Sequence, residues 1–379
     1  MNNSQFTNMY PYLWRKIDIL CHGIKEDCSG LLLKYYSAQN PHETKRTGNA
    51  GLQIKLGPAR LPLNVAVFKR FCEKSPYVLV EQSKKLFIVD ERDNTFWDIC
   101  CPSSAPFWYE ERIPGTEQMV VGDYVLLEGD FTAIASITRG CDYFMSQGPC
   151  HFCAIGAETQ SFAIRKPYLI HSIRSVCEDL SITNFHLTGG NTLEPDRGII
   201  RYLDYVKLIK EIRNDMKIAV EFTPPEISEQ RAIFECLKHA GVDSITMNIE
   251  FWNDEVRAEF MPIKGVIPKQ DYFNAFDEGL TIFGNNKVTC GFIVGLESIE
   301  DTKRGIEEVV KKGVVAEVYP FKPNTGSILE NREITDTSII LEASLYADCC
   351  MKEHNVKPNE CSGCVKCGAC GLTQHLIDI

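Results

Sequence analysis

Apolar segments of strand character alternate with segments of helical spacing through the last two thirds of this 379-residue chain. Strands that alternate with helices favour a parallel sheet with the helices packed outside it. Six such units are too few to close an eight-unit barrel, so we predict an α/β fold built on a partial (β/α)6 barrel of the TIM type. The six predicted strands cover residues 133–138, 185–188, 217–222, 243–249, 287–294 and 314–319.

The regions on either side of this barrel differ from it in pattern. Residues 1–130 contain short apolar segments without regular alternation and predict a small N-terminal mixed α+β domain. Residues 131–330 form the predicted barrel, and residues 331–379 predict a helix followed by a cysteine-rich, cluster-binding tail. Ligands of parallel α/β folds bind where the strands end, so we expect the chemistry at the carboxyl ends of these strands.

Charge and hydropathy narrow the class of protein. A net charge of −11 keeps a protein soluble and argues against nucleic acid as its main partner. The chain has no run of about 18 apolar residues, so we expect no membrane partner. Residues 1–6 lack the basic and apolar regions of a secretory signal, and we therefore predict a cytoplasmic protein.

Three cysteines follow the first predicted strand in one loop, at Cys141, Cys150 and Cys153. Three thiolates can hold three irons of a [4Fe–4S] cube and leave the fourth iron open to a small molecule. Zinc is the alternative, but structural zinc takes four ligands and the nearest fourth ligand is His151. The chain has 17 cysteines, bunched at short spacings, and no export signal, which favours metal binding over disulfides. The loop therefore predicts a redox-active, oxygen-sensitive cluster.

A second group of cysteines lies in the tail with two residues between neighbours, at Cys361, Cys364, Cys367 and Cys370. The spacing is close to the cysteine run of a ferredoxin, so we favour an auxiliary Fe–S cluster over a zinc site. Four thiolates would saturate a cluster and suit electron relay. Three would leave one iron free to hold substrate or donate sulfide, and the sequence leaves both ligand counts open.

The three-cysteine loop and the strand pattern together resemble the radical S-adenosylmethionine (SAM) superfamily. Phe152, the aromatic residue before the last cysteine, fits the motif of that superfamily. Eight residues separate Cys141 from Cys150, a longer gap than is usual there. The resemblance implies the barrel fold, a [4Fe–4S] cluster and SAM as cofactor.

The same resemblance implies a set of SAM-binding residues at the barrel edge. Thr188, Gly189, Gly190 and Asn191 match a Gly-Gly-Glu-like motif that holds the amino group of SAM, with Asn191 in place of the acid. Ile293 and Gly295 match a Gly-x-Ile-x-Gly motif that lies against the adenine. The alternative for the paired glycines is a simple turn of the chain.

More narrowly, the chain resembles the biotin-synthase-like radical SAM proteins encoded in nitrilase-containing bacterial gene clusters. That family also has a long first cysteine gap, and its tail has three cysteines that match Cys364, Cys367 and Cys370. Cys361 is then either a fourth ligand or a spectator. The matching segments are residues 150–156, 195–198, 224–225, 255–257, 261–262 and 364–370.

Charged residues near the strand ends complete the predicted site. Glu221 and Glu250 end the third and fourth strands and could hydrogen-bond the ribose of SAM or the substrate. Their alternative is a solvated charge or a pair with Arg257 or Arg197. We expect Arg257 to hold the carboxylate of SAM.

The resemblance implies a two-cluster radical SAM enzyme that cleaves SAM reductively and abstracts hydrogen from a small-molecule substrate. The auxiliary cluster would serve sulfur insertion, and the electrons would come from a donor such as ferredoxin or flavodoxin. The chemical alternative is a rearrangement or dehydrogenation in which the auxiliary cluster relays electrons. The alternatives outside this class are a non-catalytic iron–sulfur electron carrier and a zinc-ribbon interaction module.

Overall fold

The computed structural model describes residues 3–39, 51–100, 105–138, 140–155 and 164–377, and every structural statement below refers to these ranges. Gly156, part of a segment quoted above, lies outside them. Within the described ranges, no helix is both long enough and apolar enough to cross a membrane.

The N-terminal region contains three helices and a separate antiparallel sheet. The helices are α1 (Asn3–Met9), α2 (Pro11–His22) and α3 (Leu31–Gln39), and the strands are β1 (Leu52–Leu56), β2 (Leu61–Val65), β3 (Tyr77–Gln82), β4 (Lys85–Asp90) and β5 (Thr95–Cys100). Their order in the sheet is β2-β1-β5-β4-β3, and every neighbouring pair is antiparallel. Short 3-10 helices lie between β2 and β3, at Arg70–Lys74, and after β5, at Phe107–Glu110 and Val121–Asp123.

A second, curled sheet of seven strands forms the barrel. Its strands are β6 (Val125–Glu128), β7 (Thr132–Ser136), β8 (Asn184–Thr188), β9 (Lys217–Glu221), β10 (Ser244–Thr246), β11 (Val288–Val294) and β12 (Val315–Pro320). They lie in sequence order, β7 to β12 are parallel, and β6 is antiparallel to β7 at one edge. The predicted partial (β/α)6 barrel is confirmed, with the addition of β6. The boundary predicted at residue 130 falls inside the hairpin of β6 and β7.

Helices connect the parallel strands and cover the outside of the barrel. They are α4 (Asp142–Met145), α5 (Lys166–Cys177), α6 (Leu203–Ile212), α7 (Ile227–Ala240), α8 (Asp254–Phe260), α9 (Lys269–Phe283) and α10 (Ile299–Lys311), with a 3-10 helix at Ile199–Tyr202 before α6. Local signals set several of their ends. The side chain of Asn253 accepts hydrogen bonds from two backbone N–H groups at the start of α8, and that of Ser298 does the same once at α10.

Polar and apolar residues alternate along the barrel strands, as the period of a strand requires. On β8, Phe185 and Leu187 belong to the hydrophobic core, whereas Asn184, His186 and Thr188 face the interior of the barrel. The interior is therefore polar, which differs from a barrel filled by branched apolar side chains.

The tail crosses the amino-terminal end of the barrel. It consists of α11 (Thr337–Glu353), a 3-10 helix at Pro358–Glu360, α12 (Cys364–Cys367) and α13 (Thr373–Leu376). The Ser362 hydroxyl hydrogen-bonds that of Ser244 at the start of β10, and Asn184 on β8 donates to the Gly363 carbonyl oxygen at 3.2 Å. Residues 361–363 thus lie under several strands, and the next residues enter the barrel.

Candidate functional site

A cavity of about 390 Å³ occupies the inside of the barrel. Cys153, from the three-cysteine loop, lies on its wall, and so do Cys364 and Cys370 from the tail. The loop stands at the carboxyl ends of the strands and the tail enters from the opposite end. Both cysteine motifs, which are more than 200 residues apart in sequence, therefore face one interior space.

The three-cysteine loop is held by backbone contacts on both sides. The His151 N–H donates to the Phe260 carbonyl oxygen at 2.8 Å, and the His151 carbonyl accepts from the Leu329 N–H at 3.1 Å. Cys141 is buried, whereas Cys150 and Cys153 are partly exposed. Burial raises the pKa of Cys153 to about 11, so iron would have to displace a proton to bind this thiol.

The Gly189-Gly190 turn packs directly against the cysteine loop. A β-carbon at Gly190 would lie 2.1 Å from the Gly140 carbonyl oxygen and 2.7 Å from the Cys141 β-carbon. Thr188 and Gly189 line the cavity. Asn191 joins the two loops, because its carbonyl oxygen accepts from the Asp142 N–H at 2.9 Å.

Replacing Gly190 by alanine is expected to destabilise the folded protein by roughly 1–3 kcal/mol, since the added methyl group meets backbone that cannot move freely. Iron retention by the three-cysteine loop should fall as well. Gly140→Ala is the matched control in the same loop, because its β-carbon would find only the Thr138 hydroxyl, at 3.7 Å. Thermal unfolding and iron content check the prediction, and equal behaviour of the two variants would contradict it.

Phe152 anchors a small apolar cluster beside the cysteine loop. Its ring meets that of Phe251 edge to face at 5.7 Å between centroids. Phe251, Phe260, Met261, Leu296 and Phe321 form the buried part of this cluster, and Cys150 and Ile293 pack against it. Phe152 and Ile293 also line the cavity. Such an apolar wall limits water around the cysteines.

Glu250 lines the same cavity in a buried ion pair with Lys264. The Lys264 ammonium donates to the Glu250 carboxylate at 2.9 Å, and both residues are less than 10% exposed. Burial raises the pKa of Glu250 even though Lys264 acts in the opposite direction. The backbone of Glu250 has φ 68°, a left-handed conformation that is uncommon for a residue with a side chain. Glu250 lies just beyond the end of β10.

Four of the predicted cofactor residues are not on the cavity wall, namely Gly190, Asn191, Arg257 and Gly295. Arg257 is fully buried, donates to the Ile267 carbonyl oxygen at 2.9 Å and stacks over Tyr272. Gly295 has φ 115°, and a β-carbon there would lie 1.8 Å from the Thr335 hydroxyl, so a turn and close packing account for this glycine. Both have structural partners, and neither enters the function proposed below.

Glu221 is the centre of a hydrogen-bond network that crosses four strands. Asn248 donates to one Glu221 carboxylate oxygen at 2.7 Å, and the other oxygen lies 3.0 Å from His186 Nε2. Asn248 in turn accepts from the Gly291 N–H at 2.8 Å. Burial opposes ionisation of Glu221, but His186, Lys264 and Thr188 together outweigh it and the pKa of Glu221 is lowered. The network holds a charged carboxylate on the cavity wall.

The tail cysteines separate into a group of three and one outlier. Cys364 and Cys370 line the cavity, and Cys367 lies between them in sequence on α12. Cys361 is turned toward the base of β11, where its thiol donates to the Asn286 carbonyl oxygen at 2.8 Å and lies 3.4 Å from the Thr289 hydroxyl. Cys361 is therefore turned away from the cavity that Cys364 and Cys370 line.

Buried ionisable groups lie near those three cysteines. Glu128 lines the cavity, and burial raises its pKa. Burial also raises the pKa of Glu317 to about 8 and leaves one of its carboxylate oxygens without a described hydrogen-bond partner. Lys16 on α2 is fully buried, and burial lowers its pKa to about 7 although Cys367, Cys370 and Glu317 act in the opposite direction.

Sequence reasoning missed several of these groups. Lys264 and Lys16 stand outside every motif, and only packing brings them to the two cysteine sites. His186 and Asn248 had a usable signal. His186 is a polar residue on β8, beside the strand that ends at Glu221, and Asn248 lies within the strand predicted at residues 243–249, just beyond the end of β10. Lys322 also lines the cavity and was not predicted.

Comparison with known proteins agrees with the fold. Residues 135–314 match the family model described as the Radical SAM superfamily. A curated relative, bacteriochlorophyllide c C-7(1)-hydroxylase of Chlorobaculum limnaeum, is 25% identical over 136 residues, which cover 35% of this chain and 33% of that protein. The chain thus matches about a third of the length of that relative.

Two solved structures are similar at lower identity. Methylornithine synthase (PylB) is 15% identical with a TM-score of 0.46, and the match covers 58% of this chain and 62% of that one. A radical SAM methyltransferase from Sphaerobacter thermophilus is 14% identical with a TM-score of 0.46, covering 79% of this chain and 81% of that one. The biotin-synthase-like subfamily stays a prediction. Residues 135–314 thus form a radical SAM domain, the chain is an enzyme, and the matched family implies a [4Fe–4S] cluster and SAM as cofactors.

Proposed function

We propose that this enzyme abstracts a hydrogen atom from a small molecule held in the barrel cavity and inserts sulfur at the same carbon. Cys141, Cys150 and Cys153 would hold the SAM-binding cluster, and Cys364, Cys367 and Cys370 an auxiliary cluster. The observation that supports this most directly is the single cavity lined by Cys153 at one end and by Cys364 and Cys370 at the other. A substrate between them can be reached from both clusters.

When bound, the first cluster and SAM would supply reductive cleavage of SAM to methionine and a 5′-deoxyadenosyl radical, and transfer of a hydrogen atom from the substrate to that radical. The auxiliary cluster would supply a sulfide to the substrate carbon, with one of its irons reduced from ferric to ferrous. A donor such as ferredoxin or flavodoxin would provide the electron for SAM cleavage.

The chain's own residues position and enclose the reactants. Thr188, Gly189 and Ile293 line the wall nearest the three-cysteine loop and would contact SAM. Glu221, fixed by His186 and Asn248, presents a charged acceptor to the ribose or the substrate. Together with Glu128, it favours a substrate that carries hydrogen-bond donors or a positive charge.

Burial of the tail cysteines favours sulfur insertion over electron relay. A relay cluster has to exchange electrons with an outside donor, so it needs one face close to solvent. Cys367 is 5% exposed and lies next to Gly368, which Lys16 of the N-terminal region contacts, while Cys364 and Cys370 open onto the cavity. The auxiliary cluster would therefore face the substrate and not a redox partner.

Labelled sulfide tests the proposal. The full chain is reconstituted without oxygen, with ³⁴S in its clusters, then reduced with dithionite in the presence of SAM and a protein-free metabolite extract. We expect 5′-deoxyadenosine and methionine in equal amounts and the label in one small molecule. Substrate turnover with all label retained on the protein would contradict sulfur insertion. Absence of 5′-deoxyadenosine with both clusters loaded would contradict the whole proposal.

A further inference from the structure

Lys16 is a buried cation from the N-terminal region that has no acidic partner among the described residues. Its side chain is 0% exposed, and its ammonium donates to the Pro62 carbonyl oxygen at 2.7 Å and the Gly368 carbonyl oxygen at 2.5 Å. The described ion pairs do not include Lys16, and Glu317 lies beyond ion-pair distance of it. Burying an unpaired charge is unfavourable, so an uncompensated lysine calls for a negative group nearby.

The place of this ammonium points to the compensating group. Gly368 lies between Cys367 and Cys370 in the tail. Two further contacts reach the same loop. The Asn64 N–H, on β2 of the N-terminal region, donates to the Ala369 carbonyl oxygen at 3.1 Å, and Gly129, in the β6–β7 hairpin of the barrel, sits close enough that a β-carbon there would be 3.1 Å from Cys367 Sγ. Among the described lysines and arginines, Lys16 is the one that hydrogen-bonds the backbone of this loop; His375 also reaches the Gly368 carbonyl oxygen, at 3.2 Å, and Lys322 lines the cavity with Cys370.

We infer that Lys16 is the counter-charge of the auxiliary cluster and that the N-terminal region completes the cluster site. The inference rests on the proposed function, in that the three tail cysteines must hold a cluster. A [4Fe–4S] cube with three thiolates carries a net negative charge, and reduction makes it more negative. A fixed positive charge beside it stabilises the reduced form more than the oxidised form and thereby raises the midpoint potential. Lys16 is a positioning residue in this sense, because it acts on the cluster and not on the substrate.

The test isolates the auxiliary cluster in the full chain. A Cys141→Ala/Cys150→Ala/Cys153→Ala background removes the ligands of the other cluster, so that iron content and electron paramagnetic resonance report the tail alone. In this background Lys16 is changed to Met, Gln and Arg. Met removes both charge and hydrogen bonding, Gln keeps a donor without charge, and Arg keeps the charge.

We expect the midpoint potential of the auxiliary cluster to depend on the charge of the side chain at position 16. Lys16→Met and Lys16→Gln should both shift it to lower values, and Lys16→Arg should stay near the parent. Lys25→Met is the control, since Lys25 is also in the N-terminal region but pairs with the exposed Glu91 at 2.5 Å. It should leave the potential unchanged.

A second readout keeps the inference testable if a variant loads iron poorly. Lys16→Met should lower the unfolding temperature of the iron-loaded protein more than that of the iron-free protein, because only the loaded tail carries the compensating charge. Equal potentials for Met, Gln and Arg variants with full iron content would overturn the inference while leaving the proposed function intact. A background variant that binds no cluster with Lys16 present would overturn both.

Discussion

Replacing Cys153 by alanine is expected to reduce 5′-deoxyadenosine formation to the background of an enzyme-free assay. Cys153 lines the cavity and is one of three thiols on the loop at the carboxyl ends of the strands. A cube that already has one open iron is not stably bound when only two of its three thiolate ligands remain. Liquid chromatography of reactions with SAM and dithionite measures the product, and iron analysis reports about four irons lost.

The control for this variant is Cys236→Ala. Cys236 is an exposed cysteine on α7 with no place at the cavity. It should retain full 5′-deoxyadenosine formation and full iron. Cleavage of SAM by Cys153→Ala at the unmodified rate would assign the reaction to another site and contradict the proposal.

Replacing Cys370 by alanine is expected to abolish sulfur transfer while leaving 5′-deoxyadenosine formation in place. Cys370 faces the cavity from the tail end, on the side away from the three-cysteine loop. The variant should lose about four irons, the content of one cube. It should still cleave SAM without coupling to a labelled product, because the other cluster is untouched.

Cys361→Ala is the matched control within the same run of cysteines. Its thiol is committed to a hydrogen bond with the Asn286 carbonyl oxygen at the base of β11. We expect the variant to keep its iron and its sulfur transfer, with a loss of stability of about 1 kcal/mol for the hydrogen bond. Equal iron loss in Cys361→Ala and Cys370→Ala would show four ligands and favour the relay alternative.

Much of the barrel could be predicted because its signals are local. Glycines and prolines end the strands, and hydrophobic spacing marks the helices, so six parallel strands were found and their bounds differ from the structure by a few residues. The antiparallel β6 was missed. It belongs to the barrel only through pairing with β7, and a short apolar segment in residues 1–130 gives no sign of which sheet it joins.

Arg257 and Gly295 show what a motif leaves undetermined about a side chain. Each stands in a segment that resembles a SAM-binding family, but the structure turns Arg257 into the packing between α8 and α9 and sets Gly295 against Thr335. A motif gives the position of a residue along the chain. The direction of its side chain depends on the neighbours that folding brings to it.

The sequence by itself determined the fold class, the two cysteine motifs and the superfamily, because residue spacing along a strand, helix or loop is readable without knowing distant contacts. The tertiary structure decided which of these groups meet. It placed both cysteine motifs on one cavity, turned Cys361 away from the other tail cysteines, and brought Lys16 to Gly368 across most of the chain length. These long-range contacts depend on how the tail packs against the barrel and the N-terminal region, and no local sequence pattern encodes them.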